Sequence, residues 1–196
     1  MTVFIAEKPV ETRYTPEDLL TMPDGDHYEL VDGKLVETTM GAKSSWIAGE
    51  LHGLIRNFNA ETRLGWTLPA ETSFQCFAED PTRVRRPDTA FIRFGRLPDE
   101  ELPDGHIRIV PDLVVEVVSP NDLHDAVVIK VNEYLRAGVR LVWVVSPKSR
   151  QVEVLRADKS VSTLSEPDEL DGEDVLPGFR CRISDFFPPS AAPTAQ

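Results

Sequence analysis

Leu113-Val114-Val115-Glu116-Val117-Val118 is apolar at every position but one. A run apolar on both faces predicts a central strand covered on both sides. Residues 141–145 repeat the pattern. Between the two runs, Asn121 or Asp122 can cap a helix reaching about Ala137, with Gly138 at the usual stop position. Strand, helix and strand in that order predict a parallel crossover.

Other segments carry different periods. Trp46, Ile47, Leu51, Leu54, Ile55 and Phe58 recur at helical spacing, which predicts an amphipathic helix over 44–60. Residues 28–31 and 34–37 flank Asp32-Gly33, a two-residue hairpin signal. Thr15 followed by Pro16 marks a short helix start. Residues 71–77 and 86–93 read as strands joined by a polar turn around Glu79-Asp80-Pro81, and 98–105 as a loop. Residues 151–156 alternate like an outer strand. The expected fold is mixed α/β, with one helix packed before the hairpin and one crossing between the strands of Glu116 and Val144. Residues 1–14 are expected to be a flexible arm, 15–187 a single domain and 188–196 a disordered tail rich in Pro, Ala and Ser.

Composition narrows the class. The chain has 196 residues, enough for one domain with a real core. It contains no apolar run of about 18 residues, so no membrane span is expected. Its opening residues lack the basic start and long apolar stretch of a signal peptide. Cys76 and Cys181 have no metal-ligand spacing, which fits a reducing cytoplasm rather than a disulfide scaffold or a structural zinc site. The net charge of −12 works against nucleic-acid binding unless a metal or an uneven charge distribution offsets it.

Candidate chemistry starts at Glu116. An ionised carboxylate in an apolar strand costs several kcal/mol unless a cation, a metal or donors compensate it. Asp88 follows Pro87 at a strand start, and Lys130 lies on the helix after Glu116 with Tyr134 one turn on. Two carboxylates on adjacent strands can hold Mg²⁺. Such a metal polarises a phosphoryl oxygen and acidifies bound water, and a lysine can orient that water. The pattern points to metal-assisted hydrolysis of a phosphodiester. Each residue also has a plain structural role open to it. Glu116 can be a structural ion pair, Asp88 a turn residue, Lys130 a solvated helix lysine and Glu29 a solvated strand residue. Tyr134 and Trp143 read as core. His52 and His106 read as surface residues, and Arg83, Arg85 and Arg86 as a solvated turn.

Several segments together resemble a known family: Pro87-Asp88, Glu116-Val117-Val118-Ser119-Pro120, Lys130 with Tyr134 and Gly138-Val139, and Trp143-Val144-Val145. The opening Tyr28 to Val36, Leu176-Pro177-Gly178-Phe179 and Phe186-Phe187 match as well. Over roughly 15–187 the chain is similar to the bacterial "putative restriction endonuclease" domain family of the PD-(D/E)XK nuclease superfamily. The resemblance implies a restriction endonuclease-like core: a central mixed β-sheet flanked by helices, with an N-terminal β-hairpin. It implies an endonuclease dependent on Mg²⁺ or Mn²⁺ that hydrolyses DNA. Asp88 and Glu116 would bind metal, and Lys130 would assist the attacking water. Val118 stands where the superfamily places its lysine, and in this kind of family the following helix supplies it. Glu29 is a further acidic candidate, and Arg85 and Arg86 are candidate phosphate contacts. A homodimer fits cutting of both strands of a duplex. Two alternatives stay open: a catalytically inactive relative binding nucleic acid or a protein, and a metal-dependent hydrolase of RNA or another phosphate substrate.

Overall fold

A computed structural model describes residues 12–38, 40–119 and 124–189. Most of the expected arm and tail, and the expected helix caps Asn121 and Asp122, lie outside the described residues. Helix α1 (Pro16–Thr21) is held by a capping box in which Thr15 and Asp18 each accept the other's backbone N–H. Strands β1 (Tyr28–Val31) and β2 (Lys34–Glu37) form the hairpin. Asp32 at φ 51° and Gly33 at φ 76° carry its turn, the left-handed pair that an Asp-Gly hairpin needs. Helix α2 (Ala42–Thr62) is longer at both ends than its apolar pattern, closing on Arg63 in the left-handed conformation.

Six strands form the main sheet: β3 (Gly65–Pro69), β4 (Thr89–Arg93), β5 (Leu113–Val117), β6 (Leu141–Ser146), β7 (Gln151–Arg156) and β8 (Val161–Ser165), in that spatial order. Only β5 and β6 pair in parallel, and helix α3 (His124–Ala137) is their crossover. Gly138 at φ 106° ends α3. A small antiparallel pair, β9 (Glu169–Asp171) with β10 (Arg180–Arg182), closes the fold.

The two helices cover opposite faces, and the pleat sorts β5 between them. Leu113, Val115 and Val117 pack with Ile47, Leu51 and Ile55 of α2 and with Trp143 and Val145 of β6. Val114 packs with Val142, Val144, Val131 and Tyr134 on the α3 side. Glu116 has the parity of Val114, so the pleat aims its carboxylate at α3.

Three expectations need correction. Residues 71–77 make no strand: Phe74 forms only isolated bridges to Arg85 and Ile107. The partner of β4 is instead 65–69, which glycine and proline at its ends disguise. Gly65 is required there, because a Cβ would overlap the carbonyl oxygen of Ile92. Strand β7 is not outermost, since β8 continues the sheet beyond it. His106 is buried, not a surface residue. Its Nε2 lies 2.8 Å from the Pro16 carbonyl and its Nδ1 2.7 Å from Ser73 Oγ.

A carbonyl can only accept, so Nε2 carries the proton and Nδ1 accepts from Ser73. Neutral imidazole satisfies both contacts. Burial lowers the His106 pKa below 6.5, with the Pro16 contact opposing it. The unfolded chain therefore takes up this proton first as pH falls. His106 should contribute stability above about pH 6.5 that is lost on acidification, by at most about 1.4 kcal/mol per pH unit. Urea midpoints of wild type and His106→Gln between pH 7.5 and 5.5 check this. The variant should show the shallower slope, and equal slopes contradict the assignment.

Candidate active site

Helix α3 crosses the sheet so that residues 130, 133 and 134 face the end of β5 and the hairpin. Lys130 Nζ lies 2.9 Å from Glu116 Oε2, and Tyr134 Oη donates to Glu116 Oε1 at 2.8 Å. Both oxygens of the strand carboxylate are thus engaged from one helix face, the consequence of spacing i and i+4. Tyr134 is a core residue by burial, but its hydroxyl belongs to this site.

Asp88 arrives from the neighbouring strand. Thr89 pairs with Val115, which sets Asp88 just beyond the ladder beside Glu116. Its backbone N–H donates to the Val115 carbonyl at 3.0 Å, and its Oδ2 accepts the Val117 N–H at 2.5 Å. Its carboxylate is thereby fixed next to Glu116.

The hairpin supplies a third carboxylate. Glu29 is buried at 3% exposure, which excludes a solvated strand residue. Its Oε1 lies 2.9 Å from Lys130 Nζ and accepts the Arg86 N–H at 2.8 Å, while its Oε2 pairs with Arg85 at 2.8 Å. Arg85 also grips Glu133 at 2.6 Å, and Glu133 reaches Arg83 at 3.0 Å. A continuous chain of charges thus runs from Arg83 through Glu133, Arg85, Glu29 and Lys130 to Glu116. Glu133 was not foreseen, although its place three residues after Lys130 on the same face was a usable signal.

Arg85 and Arg86 are corrected as phosphate contacts. The Arg85 guanidinium is held between two buried carboxylates. Arg86 donates to the carbonyls of Tyr28, Glu71 and Gly25. Both are structural donors that pin the hairpin to the segment before β4.

The electrostatics follow from three carboxylates crowded in a desolvated place. Burial pushes the Glu116 carboxyl up to about 8; Lys130 opposes this, and Asp88 and Glu29 add to it. Burial works against charge on Lys130 too, but Glu116, Glu29 and Asp88 outweigh it and hold its pKa above the ordinary value. Burial would also raise Glu29, yet Lys130, Arg85 and the Arg86 N–H bring it below the usual carboxylate range. Tyr134 is driven well above an ordinary phenol by burial and by Glu116 beside it. The arrangement carries more negative than positive charge around Glu116.

Glu29, Asp88, Glu116 and Lys130 line a cleft of about 170 Å³ together with Arg85, Arg86, Glu37, Thr38 and Ser119. Beside the cationic Lys130, Arg85 and Arg86, the side chains able to ligate a metal there offer oxygens, with no imidazole or thiol among them. Such a set suits a hard divalent cation rather than zinc. Among the described residues, no group of three or more His, Cys, Asp or Glu side chains is placed to hold a metal ion. Asp88 and Glu116 are a two-carboxylate set, which fits Mg²⁺ because that ion binds through one or two carboxylates and keeps several waters. Beside the cleft, sharing Ser119, opens a groove of about 840 Å³. Lys43, Lys148, Ser44, Ser146 and Ser149 line it, with no carboxylate.

The fold has a solved counterpart. A crystal structure of a "putative nuclease belonging to DUF820" from Anabaena variabilis ATCC 29413 superimposes with a TM-score of 0.72. The match covers 88% of this chain and 97% of the other at 23% sequence identity, a likeness of fold. No curated protein matches the chain. A family model, Uma2, described as "Putative restriction endonuclease", matches residues 16–184. That span takes in the hairpin, both long helices, the six-stranded sheet and every residue of the cleft, and the chain belongs to this family.

Proposed function

We propose that the protein is an endonuclease that hydrolyses DNA phosphodiester bonds with Mg²⁺ or Mn²⁺. The carrying observation is that Lys130 reaches Glu116 from α3 at 2.9 Å, beside Asp88, although position 118 is valine. The lysine that the strand lacks is delivered by the helix.

Asp88 and Glu116 would hold the metal, which when bound polarises the scissile phosphate and acidifies water. The Val117 N–H fixes Asp88, and Tyr134 fixes Glu116. Lys130 orients the attacking water and balances charge that develops on the phosphate. The groove with Lys43 and Lys148 and no carboxylate offers a phosphate backbone an approach in a chain of net charge −12. Two strands of a duplex are cut most simply by two copies, so we extend the reading to a symmetric homodimer.

The net charge of −12 favours a second reading, a fold relative that binds without cutting. Supercoiled plasmid, single-stranded DNA and RNA, each incubated with Mg²⁺, Mn²⁺ or chelator, separate the readings. DNA cutting that the chelator abolishes is the expected result. Cutting of RNA alone moves the reading to a ribonuclease. Asp88→Asn keeps an acceptor for the Val117 N–H and should lose on the order of a thousand-fold in rate. Wild-type inactivity with every metal, or full activity of Asp88→Asn, overturns the proposal.

A further inference from the structure

Glu116 and Glu29 share one ammonium. Lys130 Nζ lies 2.9 Å from Glu116 Oε2 and 2.9 Å from Glu29 Oε1. The two carboxylates are not equivalent. Glu29 is anchored without Lys130, by Arg85 at 2.8 Å and by the Arg86 N–H at 2.8 Å. Arg85 is shared with Glu133, at 2.6 Å, so Glu29 keeps negative charge to offer the ammonium. Glu116 has no arginine partner in this chain of charges. Its second oxygen is taken by a phenol, which carries no formal charge. A divalent cation at Asp88 and Glu116 repels the ammonium that stands on Oε2, and the ammonium needs a seat close by.

We propose that Lys130 is a movable counter-ion: divalent metal displaces it from Glu116, and Glu29 keeps it in the cleft. Glu29 is then a positioning residue that acts on metal binding chiefly through Lys130, and is not itself a ligand. The proposal rests on the metal reading of Asp88 and Glu116 given above. It also accounts for three carboxylates around one lysine. Two receive the metal, and the third retains the lysine at the distance where it can orient water.

Calorimetric titration of the full chain with Mn²⁺, without DNA, tests it through a double-mutant cycle. Lys130→Met keeps the aliphatic stem and removes the competitor, so Mn²⁺ should bind roughly tenfold tighter or more. Glu29→Gln leaves the ammonium only Glu116 and should weaken binding by a similar factor. In the Lys130→Met background, Glu29→Gln should change affinity far less than it does in wild type. An equal effect of Glu29→Gln in both backgrounds makes Glu29 a direct ligand or a simple field source and overturns the proposal. So does unchanged or weaker binding by Lys130→Met. If wild type and Lys130→Met both fail to bind Mn²⁺, it is the metal reading itself that falls. A second measurement needs no variant. In wild type labelled with ¹⁵N-lysine, the Lys130 Nζ resonance should shift as Ca²⁺ or Mg²⁺ saturates yet stay protected from exchange. Loss of that protection means that Glu29 does not hold the ammonium and sinks the proposal.

Discussion

Arg85→Ala is expected to lower the stability of the protein by about 3–5 kcal/mol, the usual cost of stripping a buried ion pair of one partner. Arg85, Glu29 and Glu133 are all nearly inaccessible, at 6%, 3% and 9% exposure. Both branches of the guanidinium are occupied, one by each carboxylate. Removing it leaves two buried anions, which among the described residues keep only Lys130 and a backbone N–H in one case and Arg83 in the other. For a domain of this size the loss corresponds to a Tm lower by about 6–20 °C. Arg85→Lys should recover only part of it, because one ammonium cannot satisfy two carboxylates in fixed fork geometry. Arg180 gives the contrast. It pairs with Asp171 at 2.5 Å, yet its side chain is 62% exposed. Arg180→Ala should therefore cost no more than about 1 kcal/mol. Thermal unfolding of the three variants decides the matter, and an Arg85→Ala protein as stable as Arg180→Ala removes Arg85 from the framework of the site.

That framework was the part least visible in the sequence. Arg83, Arg85 and Arg86 form a short basic cluster before a strand, and adjacency alone suggests a solvated turn or a phosphate contact. Their partners lie far along the chain: Glu133 is 48 residues from Arg85 and Glu29 is 56. No local period encodes such pairings. By contrast, the hairpin, the crossover and α2 were legible because each rests on a local rule, a turn dipeptide or an apolar period. Strand β3 was missed for the converse reason. It is short, begins with a glycine required by close approach to β4 and ends in proline, so its local signal opposed its tertiary role. Glu116 was legible as an anomaly, because a carboxylate in an apolar strand needs an explanation whatever surrounds it. Tyr134 was legible as a core residue but not as a hydrogen-bond donor, since its position fits both.

Glu116→Gln separates the structural from the functional account of that anomaly. If Glu116 existed to hold the fold together through Lys130, the amide would lose a buried ion pair and the protein would be destabilised. The environment argues the opposite. Burial, Asp88 and Glu29 hold the Glu116 carboxyl at about 8, so its ionised form is disfavoured in the folded state relative to the unfolded chain. For a carboxyl raised in this way, ionisation at higher pH weakens the fold, and a neutral isostere escapes that penalty. The amide oxygen can still accept from Lys130, the amide nitrogen can still reach the Tyr134 oxygen, and Lys130 keeps Glu29 as its charged partner. Glu116→Gln should therefore be as stable as wild type or more so, and the difference should widen from about pH 4.5 to pH 8 and level off above it. On the proposed metal reading its nuclease rate should fall on the order of a thousand-fold, since an amide is a poor ligand for a hard cation and removes several kcal/mol of transition-state stabilisation. A stability gain combined with an activity loss is the pattern of a residue kept for chemistry at the fold's expense. A stability loss with activity retained makes Glu116 a structural ion pair and leaves Asp88 without its partner in catalysis.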